Sequence, residues 1–120
     1  MKLGTVYHWS PTANREKILK EGMTILNSSI EYENPNTGET ETWKPPYICA
    51  SLDPWTAYRY VQPMIDAAEV PSLDLFYFEL AEKDDVVIRN DRTIEIIEVR
   101  VLNSIPADRV HYVATRQTEF

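Results

Sequence analysis

A histidine, a group of tyrosines and a glutamate are the side chains of this sequence whose types and spacing could do chemistry together. His8 stands in Val-Tyr-His-Trp-Ser-Pro, between an expected strand and an expected helix start. A histidine at such a junction faces a cleft close to a helix N-terminus, where backbone N–H groups and the helix dipole favour anionic ligands. The same position equally suits a buried histidine with an ordinary hydrogen bond. Tyr47, Trp55, Tyr58 and Tyr60 crowd one strand–helix unit. Tyr58 and Tyr60 are two apart on a helix and point different ways. One meets the core, the other solvent or a ligand. Aromatic faces suit a flat base or a cationic ring, and they suit plain core packing as well. Glu95 and Glu98 lie in Ile-Glu-Ile-Ile-Glu-Val-Arg-Val. Their odd separation puts them on opposite faces of a strand, with Glu98 sharing its face with Ile96 and Arg100. Cys49 reads as a small core hydrophobe, and His111 sits in the last strand with no evident partner. The sequence has no glycine-rich phosphate loop, HExxH, CxxC or GxSxG.

The elements that must position these residues are legible as local signals. Gly4 to Trp9 reads as a strand. Ser10-Pro11 reads as the start of a helix, with Ser at the N-cap and Pro at the first position, and Gly22 ends it. Met23 to Leu26 follows as an extended return. Residues 30–44 read as a polar hairpin around Asn-Pro-Asn-Thr-Gly, so 27–46 forms a flap or loop excursion. Tyr47 to Ser51 is a short buried strand. Asp53-Pro54 starts a second helix that stops before Pro63, with a further turn over 64–70. Strands follow at Leu73–Leu80, Val86–Arg89, Ile94–Leu102 and Val110–Thr115. Helices early and antiparallel strands late argue for an α+β domain rather than a doubly wound sheet.

The chain is 120 residues of 13.9 kDa. That length supports one domain, residues 1–120, with its own core and no metal or disulfide staple. The single cysteine rules out a disulfide framework and a multi-cysteine zinc site. With no membrane-length apolar run and no secretion signal, the expected location is the cytoplasm. The net charge of −7 is uneven. Residues 1–26 carry +2, residues 27–85 carry −9, and residues 86–120 are neutral. A nucleic-acid binder needs a basic face to release counterions, so DNA and RNA are disfavoured as partners.

In order and spacing these pieces resemble the ADP-ribosyltransferase superfamily. Val6-Tyr7-His8-Trp9-Ser10, followed by a helix ending Ile18-Leu19-Lys20-Glu21-Gly22-Met23, is similar to its opening motif. Ile48-Cys49-Ala50-Ser51, then Ala57 and a nearby tyrosine, looks like its second. Tyr47 and Tyr58 have the spacing of the paired tyrosines in the diphtheria-toxin and poly-ADP-ribose polymerase branch. An alternative register puts Tyr60 in place of Tyr58. Glu98-Val99-Arg100-Val101 followed by Ile105-Pro106 resembles the closing strand of that branch and of the toxins that modify DNA. The resemblance runs from about residue 6 to 113. It implies two small split antiparallel sheets with NAD between them. His8 would hydrogen-bond the adenosine ribose and the nicotinamide amide, with Ser10 and Ser51 also on the NAD-binding side. Tyr47 with Tyr58 or Tyr60 would sandwich the nicotinamide ring, and Glu98 would be the catalytic carboxylate on the adjoining ribose. The activity implied is mono-ADP-ribosyl transfer or NAD hydrolysis, with a protein or small-molecule acceptor and no metal. A non-catalytic module that binds a nucleotide or a protein partner is the alternative. The Arg-rich pattern of the RNA 2′-phosphotransferase branch is missing.

Overall fold

A computed structural model describes residues 4–24, 30–43, 47–91 and 96–118. Strand β1 (Thr5–Pro11) leads through a 3-10 turn at Thr12–Asn14 into helix α1 (Arg15–Glu21). Strands β2 (Ile30–Glu33) and β3 (Thr40–Trp43) form a separate hairpin, and β4 (Ile48–Ala50) precedes helix α2 (Pro54–Ala68). Strands β5 (Ser72–Glu79), β6 (Val86–Asp91), β7 (Ile96–Val101) and β8 (His111–Gln117) complete the chain, with a second 3-10 turn at Ala107–Arg109. The fold is α+β, with two three-stranded antiparallel sheets in the orders β1-β5-β8 and β4-β7-β6. Among the described residues no helix is long and apolar enough to cross a membrane.

The two sheets meet side by side. Tyr7 and Ser51 exchange backbone hydrogen bonds of 2.8 and 3.0 Å, which joins β1 to the end of β4. Beyond that bridge the strands part. Cross-strand partners share a face, so the joined sheets have two common sides. One side carries Val6, Phe76, Phe78, Ile48, Ala50, Val99 and Val101, which with Ile18 of α1, Met23 and Ile105 make the main core. The other side carries Trp9, Leu73 and Leu75 against Ala57, Val61 and Ile65 of α2.

The helix signals hold in part. Gly22 caps α1 at φ 86°, and its amide bonds Ile18. Asp53 caps α2 by accepting from the Thr56 amide at 2.8 Å. The first helix start is corrected. Ser10 and Pro11 remain in β1, paired with Asp74 and Leu73, and α1 begins at Arg15 after Asn14. Long-range pairing and the burial of Ser10 outweigh the local Ser-Pro signal. The second helix does not stop before Pro63, which lies exposed inside α2. Buried Val61 and Ile65 on either side anchor the helix, so packing offsets the one hydrogen bond that proline forfeits. β6 extends two residues past Arg89, and β8 runs from His111. The expected return over Met23 to Leu26 is described only to residue 24, where Met23 forms a bridge with Ile105. Ile94 and Glu95 lie outside the described residues.

Candidate functional site

His8 sits where β1 and β4 separate. It is 4% exposed, and its Nδ1 lies 2.5 Å from the Cys49 carbonyl. A carbonyl only accepts, so Nδ1 carries the proton and Nε2 presents a lone pair. Burial holds the imidazole pKa below its ordinary value, against the opposing effect of the Cys49 bond. The ring therefore stays neutral, and Nε2 is a buried acceptor without a partner among the described residues. Such atoms are rare, because an unpaired buried polar group costs about 1–3 kcal/mol.

Cys49 joins His8 to Glu98. Its side chain points to the α2 side of the sheet, where the thiol donates to Oε2 of Glu98 at 2.9 Å. Burial, followed by the neighbouring carboxylate, pushes the thiol pKa up. Cys49 is buried as the sequence suggests, but it serves as a hydrogen-bond donor. Glu98 is fully buried, and its Oε1 accepts from Nε of Arg100, two residues along the same strand. The Arg100 guanidinium lies over the Tyr47 ring, 4.3 Å from the centroid. Burial, then Glu98, raises the Tyr47 pKa. The sequence shows Arg100 on the Glu98 face of the strand but does not show it as the partner of that carboxylate.

Ser51 is a strut. Its backbone bonds Tyr7, and its hydroxyl donates to the Ile97 carbonyl at 2.7 Å, one residue before Glu98. Ser10 is buried on the His8 side of β1, where its Oγ accepts from Asn14 at 3.3 Å. Next to it in register is Asp74, also fully buried, which binds Arg15, Thr12 and Thr115. Sequence reasoning passed over Asp74, because an aspartate within an alternating strand gives no local sign of its distant partners.

The other tyrosines fall elsewhere. Tyr58 packs edge-on against Trp9, 5.5 Å between centroids, and Arg116 lies over its outer face at 4.5 Å. Among the described residues Tyr47 and Tyr58 make no direct ring contact with each other, and each has an arginine over its face. Tyr60 lies on α2, and its side chain is outside the described part. His111 does have a partner, since it stacks on Tyr77 at 4.8 Å. A cavity of about 300 Å³ opens at the far end of the first sheet, lined by Glu79, Leu80, Ala81, Asp108, Arg109 and His111. None of the candidate residues lines it, and Arg109 there is committed to Asp84.

The structure thus links His8 to Glu98 through Cys49, but on opposite faces of the joined sheets: His8 lies on the side of Val6 and Phe76 and bonds the Cys49 carbonyl, while Cys49, Ser51, Glu98 and Arg100, with Tyr47 beside Arg100, lie on the α2 side. It leaves Tyr58 with Trp9 and Ser10 with Asn14. Among the described residues one face thus carries an unsatisfied acceptor at His8, and the other a buried carboxylate facing a cation held on an aromatic ring. No family model matches this chain, and no curated protein or solved structure matches it.

Proposed function

We propose that the split between β1 and β4 is a nucleotide cleft of ADP-ribosyltransferase type. The chain is then a small NAD-dependent mono-ADP-ribosyltransferase or NAD glycohydrolase, acting on a protein or small-molecule acceptor. The observation that carries this reading is the buried Nε2 of His8, which has no partner among the described residues. A lone pair fixed in that position calls for a hydroxyl or amide N–H from a ligand, and a ribose hydroxyl is such a donor. The residues fit NAD in two further respects. Tyr47 presents a ring face to a cation, as a pyridinium ring requires. Glu98 places a carboxylate beside that cation.

NAD supplies an ADP-ribosyl group whose bond to nicotinamide breaks as positive charge gathers on the ribose. A preorganised carboxylate stabilises that charge where it develops. Cys49 and Ser51 orient β7 so that the Glu98 carboxylate stays at the split. The −9 charge of residues 27–85 disfavours a polyanionic acceptor.

Calorimetry and turnover with NAD test the reading. His8→Ala should weaken NAD binding about ten-fold, the worth of one buried hydrogen bond. Glu98→Gln should leave binding within a few-fold and lower NAD consumption by about 10²–10³. Absence of NAD binding by the unaltered protein would sink the proposal. A second reading, a non-catalytic nucleotide-binding module, is favoured by one observation. Both Glu98 oxygens are already engaged, one by Cys49 and one by Arg100. NAD binding that depends on His8, with no NAD consumed, would decide for that module.

A further inference from the structure

A cation pressed between an aromatic face and a buried carboxylate is the environment a cationic ring would need, and in this fold a side chain of the protein supplies that cation. We infer that the Arg100 guanidinium is an internal occupant of an organic-cation slot floored by Glu98 and walled by Tyr47, and that a planar cationic ligand enters by displacing it. The inference deepens the nucleotide reading and rests on it only for the identity of the natural ligand.

The geometry gives the slot a floor and a mouth. The Glu98 side chain is 1% exposed and that of Arg100 is 24% exposed. The carboxylate therefore lies sealed below, and the guanidinium sits at the opening on a flexible stem. A buried carboxylate must be compensated by a charge, or its desolvation goes unanswered. Arg100 supplies that compensation in the free protein. A planar cation could take over these two contacts, stacking on Tyr47 and facing Glu98, while Arg100 swings away from them. A neutral ring of the same shape could not, because it would leave Glu98 buried and unpaired. The slot should thus select charge over shape. It would release a ligand whose ring loses its charge, as nicotinamide does when its glycosidic bond breaks. Occupation by Arg100 also lowers apparent affinity, because only the fraction of molecules with an open slot can bind.

The test uses cations alone. N-methylnicotinamide, a permanently charged planar ring, is titrated into the wild type, Arg100→Ala and Arg100→Gln, with neutral nicotinamide as control. Both variants should bind the cation at least ten-fold more tightly than the wild type, with little change for nicotinamide. Millimolar guanidinium should raise the melting temperature of Arg100→Ala relative to sodium at equal ionic strength. Equal cation affinity in wild type and variants would overturn the inference, as would an equal gain for neutral nicotinamide. If the Arg100 variants fail to fold, Tyr47→Leu serves, because it keeps the ion pair. Weak cation binding by the wild type should then be lost, and its survival in Tyr47→Leu would count against the slot. Cation binding by Arg100→Ala without NAD binding would end the nucleotide reading and leave the slot standing. NAD binding that gains nothing from Arg100→Ala would do the reverse.

Discussion

Replacing Asp74 by asparagine tests whether one buried carboxylate holds the first 3-10 turn, α1 and β8 to β5. Asp74 accepts from Arg15 Nε at 2.6 Å and Nη2 at 2.8 Å, from Thr115 at 2.7 Å and from Thr12 at 3.0 Å. These donors come from the first 3-10 turn, α1 and β8, so one side chain ties three segments to β5. The asparagine amide would turn an NH2 group toward donors and remove the charge that faces Arg15. Breaking a buried pair from one side costs about 3–5 kcal/mol. The Arg15 side chain is 37% exposed and can turn to water, so the cost should fall near the lower end, about 3 kcal/mol. For a domain of this size that is a drop of about 12 °C in melting temperature. The assay is urea unfolding of both proteins across pH. Burial acts to raise the Asp74 pKa, but the hydrogen bonds from Arg15, Thr115 and Thr12 more than reverse it, and the group is held below its ordinary value. A depressed carboxylate stabilises the fold above its unfolded pKa, and that stability is lost as pH falls through the folded pKa. The gap between wild type and Asp74→Asn should therefore be full at pH 7 and shrink below about pH 4. A difference under about 1 kcal/mol at pH 7, or a gap that persists at pH 2, would refute the reasoning.

Two further outcomes follow from the same structure. Gly22→Ala should destabilise the fold by about 3 kcal/mol or more in thermal unfolding. Its φ of 86° strains any other residue, and an added Cβ would collide with the Ile105 carbonyl and lie 2.7 Å from the Ala107 nitrogen. Asp84→Asn should cost about 2 kcal/mol at neutral pH. Arg109 foremost, with the Ala81 amide and Asn103, draws the Asp84 carboxyl down to about 2. The cost should fade between about pH 4 and pH 2 in acid-titrated unfolding curves.

Much of the fold was legible where the signal was local. Gly22 and Asp53 mark helix boundaries through their own backbone and side chain, and Asn34 to Gly38 marks a turn that the structure closes with Asn34 and Glu39. The misreadings share a different cause. Ser10-Pro11 and Pro63 are strong local signals overruled by tertiary packing, since β1 keeps its pairing with β5 and α2 keeps its buried stripe. In the site, a histidine at a strand end was readable, but its lone pair was not. That depends on the Cys49 carbonyl, 41 residues away. The engagement of Glu98 by Cys49 likewise spans 49 residues, and the arginines over Tyr47 and Tyr58 come from other strands, Arg100 from β7 and Arg116 from β8.

The bridge between Tyr7 and Ser51 has a mechanical consequence. Two backbone hydrogen bonds form a narrow seam between the two three-stranded sheets. The angle between the sheets is therefore governed less by that seam than by the apolar side chains wedged behind it. Val6, Phe76 and Phe78 come from one sheet, and Ile48, Val99 and Val101 from the other. Close-packed interiors transmit a change of even one methylene. The approach of β1 to β4 at this seam, which the hydrogen bond from His8 to the Cys49 carbonyl also spans, is thus set from behind, and the core acts as the spring of a narrow hinge.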